Sequence, residues 1–166
     1  MSVHDTLPRR LIAPRLVGAV AGQEQPRFSW LVLRYLGALA VLAVGLVHLQ
    51  QYFGPYAQIP TIGTLFLVNV AAAAAISLAL LAPLEHLTGR WAGAAVALVT
   101  IGGITLGAGS FVLLTISERR PLFGFQEPGY DPTAIAISRA TEVAAAVLLG
   151  ASLIARFAGK APKVRW

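Results

Sequence analysis

Four apolar runs, each long enough to cross a bilayer, constrain this chain more than any other feature. They cover residues 28–50, 61–82, 91–115 and 133–158, with short polar stretches between them. Each run holds more than twenty residues, and at about 1.5 Å of rise per residue a helix of that length spans the ~30 Å hydrocarbon layer. Inside that layer no water can bond the backbone N–H and C=O groups, so the groups must satisfy one another within the segment. The pattern therefore predicts an all-α, integral membrane four-helix bundle. Connections shorter than twenty residues leave no room for a separate soluble domain. One transmembrane domain, residues 28–158, is expected, flanked by an N-terminal tail (1–27) and a short basic tail (159–166).

Composition agrees. Only 12% of the residues are charged and the mean hydropathy is +0.71, whereas a soluble domain carries about 25% charged residues. The chain has no cysteine, which excludes disulfides, thiolate metal sites, thiol nucleophiles and Cys-held iron–sulfur clusters. The net charge of +6 is unevenly spread. Of the thirteen Lys and Arg residues, only Arg119, Arg120 and Arg139 fall on the side opposite the tails. The positive-inside rule then places both termini in the cytoplasm and residues 51–60 and 117–132 outside. The implied location is a bacterial inner (plasma) membrane, crossed several times. A signal peptide is the rival for Arg9-Arg10 and the apolar run after them, but Pro14 and Arg15 interrupt that run. Leu11–Ala21 has the length of a short amphipathic surface helix, but Pro14 and Gly18 argue against a stable one, and residues 1–27 are read as a disordered cytoplasmic tail. Basic tails beside anionic lipid are ordinary in such proteins and call for no nucleic-acid partner.

The first two runs meet in the stretch His48–Asn69, a tight aromatic loop bracketed by Pro55 and Pro60. Arg34 lies about 9 Å in from Phe28 by helical rise, within snorkelling reach of the near headgroups. Gly103 and Gly107 form a small-xxx-small pair in the third run, which predicts close approach of a neighbouring helix. Pro60-Thr61-Ile62 leads to Asn69-Val-Ala-Ala-Ala, and Pro132-Thr133-Ala134 leads to Glu142-Val-Ala-Ala-Ala. The hairpins 28–82 and 91–158 can be read as parallel repeats, with chance in an alanine-rich chain the favoured account, and the echo puts Asn69 and Glu142 at equivalent depths.

Glu142 is the most informative residue, because an intramembrane carboxylate is costly unless paired, protonated or wetted. Arg139, three residues earlier, is its expected partner. Small and polar stripes at Ser138–Glu142–Ala146–Gly150 and Asn69–Ala73–Ser77 should face the bundle interior. Together these residues predict that His48, Asn69, Arg139 and Glu142 converge on one cluster in the outer leaflet. Two uses compete. The cluster is a buried ion pair and amide bond that glue helices, or it holds a ligand or proton, and the structural use weighs slightly more. The loop aromatics Tyr52, Phe53, Tyr56, Phe123, Phe125 and Tyr130 are read as an interfacial belt rather than a lid.

No catalytic or phosphate-binding motif is present, no cofactor or metal is called for, and the chain is read as non-enzymatic. The leading reading is an accessory subunit or a binder of a small lipophilic or ionic ligand. The alternatives are a small proton-coupled transporter using Glu142 and a quinone- or haem-associated redox protein near His48. Besides the bilayer, a membrane-protein partner or a second copy of the chain is the expected company.

The segments Gly45-Leu-Val-His48-Leu, Ile59-Pro-Thr-Ile-Gly-Thr-Leu-Phe66 and Leu122-Phe-Gly-Phe-Gln-Glu127 resemble small four-span membrane proteins of high-GC bacteria that lack an assigned function. The layout is also loosely similar to DoxX-like membrane proteins. The resemblance covers the four spans but not the N-terminal tail. No DoxX-type redox role follows, since this chain has no cysteine to receive it.

Overall fold

The computed structural model describes residues 15–84 and 89–158, with side chains from residue 28 onward. It consists of four long helices: α1 (Arg15–Phe53), α2 (Ile62–Leu81), α3 (Ala92–Arg119) and α4 (Pro132–Ala158). Short 3-10 turns at Tyr56–Gln58 and Gly89–Trp91 lie in two of the connections. All four helices contain a segment long and apolar enough to cross a membrane: 28–53 in α1, and α2, α3 and α4 in essentially their full lengths. The chain is thus an all-α four-helix membrane bundle. Two boundaries lie beyond the apolar runs. Helical backbone begins at Arg15, inside the stretch read as disordered, and α3 continues to Arg119. Residues 1–14, residues 85–88 of the second connection and the basic tail 159–166 lie outside the described residues.

The helices form a ring in chain order. α1 packs along both α2 and α4, and α3 packs along α4, while α2 and α3 touch least of the four pairs of ring neighbours. The reason lies in residue size. The shared core is made of Ala38, Val41, Ala73, Leu80, Ala145 and Leu149, mostly small side chains that let backbones come close. On α3 the close approach is extreme. A methyl group on Gly107 would sit 2.8 Å from the Glu142 carbonyl oxygen, and one on Gly103 would sit 2.5 Å from Leu149 Cδ1. The larger apolar side chains, among them Leu46, Leu78, Val147 and Ile154, point outward. That inversion suits a hydrocarbon surround, where a large apolar side chain gains nothing by turning inward.

Buried hydroxyls stitch the helices together. Ser77 Oγ donates to the Ala38 carbonyl at 3.0 Å, joining α2 to α1, and Ser152 Oγ donates to the Trp30 carbonyl at 3.0 Å, joining α4 to α1. Arg34 departs from its expected place. It does not snorkel outward: the residue is buried, and Nη2 donates to the Ala82 carbonyl at 3.1 Å, just past the end of α2. The last carbonyls of a helix lack partners and carry partial negative charge, so a guanidinium is well placed there. The ring of Trp30 lies within 5.5 Å of both the Arg34 and Arg156 guanidinium carbons.

At the other end, the two loops lock onto one another. Tyr56 is buried, and its hydroxyl donates to Glu127 Oε2 at 2.6 Å. Glu127 Oε1 accepts from the Gly129 and Tyr130 amides at 2.8 and 3.3 Å. Gln51 Nε2 donates to Asp131 Oδ2 at 3.2 Å, and Asp131 Oδ1 accepts the Ala134 amide at 2.9 Å, capping the start of α4. Tyr56 stacks on Phe66 with centroids 4.8 Å apart and meets Phe125 and Tyr130 edge-on. The loop aromatics therefore divide. Tyr56 and Phe125 plug the bundle end, while Phe53, Phe123 and Tyr130 stand exposed around it.

Candidate functional site

The loose seam between α2 and α3 leaves a cleft of about 640 Å³. Its volume lies within the ~300–1,000 Å³ range of small-molecule sites. Leu65, Val68 and Ile76 of α2 form one wall, and Leu98, Ile101 and Leu113 of α3 form the other. Several of these wall residues are themselves open to the surroundings, Val68 by 58% and Leu98 by 71%. The mouth therefore opens sideways, along the surface where the chain meets lipid.

Polar atoms gather in one half of the cleft, the half nearer the loops. The apolar trough on α3 runs twelve residues from Ser110 to Leu98, about 18 Å by helical rise. Above it stand Asn69, Ser110, Ser138 and Glu142, and higher still are His48, Gln51, Tyr56 and Glu127. The arrangement matches one leaflet of a bilayer, polar toward the surface and apolar toward the middle.

Glu142 sits at the inner wall and is only 1% exposed. Its Oε1 accepts from Ser138 Oγ at 2.9 Å, one turn earlier on the same helix, while Oε2 is buried with no hydrogen-bond partner. Across the seam, Asn69 Nδ2 donates to Ser110 Oγ at 2.7 Å, and Asn69 Oδ1 is likewise buried and unpartnered. Leaving such groups unsatisfied costs about 1–3 kcal/mol each, and more for a charge. Two unpartnered acceptors thus belong to residues lining one cleft. His48 is half-buried at the loop end of the cleft. Its Nδ1 lies 2.9 Å from the Val44 carbonyl, which requires the proton on Nδ1. The ring meets Phe66 edge-on at 5.0 Å.

Arg139 does not join them. It forms an ion pair with Glu118 near the end of α3, where the two side chains are 40% and 28% exposed. The expected Arg139–Glu142 pair is thus replaced by Arg139–Glu118. The physical reason is desolvation: near the end of the bundle a guanidinium keeps part of its hydration, whereas pairing with Glu142 would draw it into the dry inner wall. Ser138, four residues before Glu142, takes the place that three-residue spacing had assigned to Arg139. The structure therefore brings His48, Asn69 and Glu142 to one cleft and leaves Arg139 outside its lining.

Gly107 lies on the α3–α4 contact, and Gly103 faces the bundle centre against Leu149 of α4, Ile76 of α2 and Val41 of α1. Gly107 approaches the backbone of Glu142 itself and so holds the inner wall in place. Ser110 and Glu127 were not singled out in the sequence. Ser110 lies three residues after Gly107, but Thr100 and Thr105 of the same run left it with no distinguishing signal. Nothing marked Glu127 apart from other loop acids. Outside the spans, two groups titrate away from their ordinary values. Burial, reinforced by the hydrogen bond to Glu127, raises the Tyr56 hydroxyl. The Ala134 amide, with a smaller contribution from Gln51, lowers the Asp131 carboxyl. Among the described residues no three His, Asp or Glu side chains gather as metal donors.

No protein-family model matches this chain, and no curated protein and no solved structure matches it either.

Proposed function

We propose that this protein is a non-enzymatic membrane protein that takes a small amphipathic lipophile, laterally from the bilayer, into the α2–α3 cleft. The observation behind this reading is a cleft with lipid-exposed apolar walls and, in one half only, buried polar atoms that lack partners. A fully apolar ligand would leave those atoms unsatisfied, and a fully polar one would forfeit the apolar trough. The ligand's head then lies toward the loops and its tail toward the bilayer centre. With both termini cytoplasmic, as the charge asymmetry favours, the head belongs to the outer leaflet of the inner membrane.

A photolabelling experiment tests this. The protein in phosphatidylcholine nanodiscs is irradiated with a dodecyl chain bearing a terminal diazirine, and the labelled residues are mapped by mass spectrometry. Labelling should concentrate on α2 and α3 around Ile76, Leu98 and Ile101. Ala72→Trp, which fills the cleft, should reduce it about tenfold. Label spread evenly over all lipid-facing residues, or unchanged by Ala72→Trp, overturns the reading.

The unpartnered Glu142 Oε2 also supports a second reading, a carrier that couples ligand movement to proton exchange at this carboxyl. Proton-driven uptake into vesicles, abolished by Glu142→Gln, separates a carrier from a binder.

A further inference from the structure

The cleft has a chemical preference as well as a shape. We propose that its ligand is a lipophilic amine bound as the alkylammonium ion, with Glu142 as its counter-charge and Asn69 Oδ1 as a second acceptor. This rests on the reading above that the cleft admits a lipophile, and it names the class.

The charges around Glu142 carry the argument. α4 offers Ser138 and also Arg139, which acts on the carboxyl through space but is ion-paired with Glu118 and lies outside the cleft lining. α1 brings His48 and Gln51, with the His48 Nδ1 proton already given to the Val44 carbonyl. α2 brings Asn69, and α3 brings Ser110, whose Oγ accepts from Asn69. Arg34 is at the opposite end of the bundle, on the Ala82 carbonyl. Among the described residues no Lys or Arg lines the cleft. The carboxyl therefore faces a cavity that holds no opposing charge.

The stereochemistry points the same way. Both unpartnered atoms, Glu142 Oε2 and Asn69 Oδ1, are acceptors in this arrangement. An alkylammonium has three N–H donors on one small head, enough to reach both with one to spare for a hydroxyl or a water. A carboxylate ligand would meet repulsion at Glu142, and an ester or ether would bring only more acceptors. The ion pair would form in an apolar surround, where Coulomb attraction is poorly screened. The tail then lies in the trough between Asn69–Ile76 and Leu98–Ser110.

Competition against the photolabel tests the class. Dodecylamine at neutral pH, dodecanoate and methyl dodecanoate are added to protein in zwitterionic nanodiscs, each at a matched mole fraction in the bilayer. Dodecylammonium should displace the label from α2 and α3 at a mole fraction at least tenfold lower than methyl dodecanoate. Dodecanoate should be the weakest. Glu142→Gln should remove the ammonium's advantage over methyl dodecanoate. Equal displacement by all three overturns the amine assignment but leaves the cleft as a general lipophile site. Preferential displacement by the ester or the acid also overturns it, and indicates an acceptor-bearing or acidic ligand. Absence of cleft labelling before any competitor is added defeats the underlying reading instead. The comparison of competitors uses the wild-type protein, so it decides the matter even if Glu142→Gln fails to fold.

Discussion

At the scale of single residues, Glu142 separates stability from function. Its carboxyl has one hydroxyl partner, one unsatisfied oxygen and no opposing charge among the cleft-lining residues. A side chain kept only for the fold would be better served by leucine, which fits the apolar wall and strands no polar atom except Ser138 Oγ. Glu142→Leu is therefore expected to leave the melting temperature in nanodiscs unchanged or raise it by a few degrees, while the preference for the amine vanishes. A large fall in melting temperature would mark the carboxyl as structural. Glu142→Gln should likewise not strand Arg139, because Glu118 holds that guanidinium. Glu118→Gln should in turn cost little, about 0–1 kcal/mol, since the pair is partly exposed. Depth along each helix was legible in the sequence: counting 1.5 Å per residue puts Asn69 and Glu142 at similar levels. The Arg139 partner was not legible. Three-residue spacing makes Glu142 a neighbour, but which neighbour wins depends on where water reaches, and spacing carries no such information.

At the scale of helices, the α3–α4 contact gives a sharper test than glycine count alone. The obstacle at Gly103 is the tip of the Leu149 side chain, which can change rotamer, whereas at Gly107 it is the Glu142 backbone carbonyl. Gly107→Ala should therefore be the more damaging change, costing roughly 1–3 kcal/mol as overpacking does, and Gly103→Ala the milder. Thermal unfolding of the two variants side by side checks the order, and an equal or reversed effect would show that α3 slides freely on α4. The start of α4 has its own dependence on pH. Asp131 is held as a carboxylate by the amide it caps, so its folded value lies below its unfolded one. Its contribution is fully present above the unfolded value, near pH 4, and is lost as the pH falls through the lower folded value. Amide exchange at Ala134 and Ile135 should quicken as the pH falls below about 4, relative to the intrinsic rate. Asp131→Asn should flatten that response. The spans themselves were legible because hydrophobic length is a strong signal. The helical backbone of 15–27 and the last turn of α3 were not, since a helix outside the hydrocarbon leaves no mark in hydropathy. Nor was the open seam, because nothing in either run says which two neighbours will pack least closely.

At the scale of the whole molecule, the two ends of the bundle differ in charge. One end holds Arg34, Arg90 and Arg156 beside the rings of Trp30 and Trp91, and the sequence adds basic residues in both tails. The opposite end holds Arg119, Arg120 and Arg139, and one of these is paired with Glu118. Insertion keeps the more basic flanks in the cytoplasm, and short connections such as these obey that bias. Reporter fusions after Pro55, Glu85, Pro128 and Trp166 are thus expected to read out, in, out, in. Moving charge should move the outcome: replacing the described arginines Arg90 and Arg156 with glutamine, together with Lys160, Lys163 and Arg165, should raise the fraction of inverted molecules. A wild-type pattern of in, out, in, out would refute this orientation. It would also transfer the polar half of the cleft, which lies at the loop end, to the cytoplasmic leaflet. The chemistry at Glu142 would then be the same, but the amine would have to arrive from inside the cell. The fusion experiment thereby decides which leaflet supplies the ligand, and adding dodecylamine to one side of sealed vesicles gives an independent reading of the same fact.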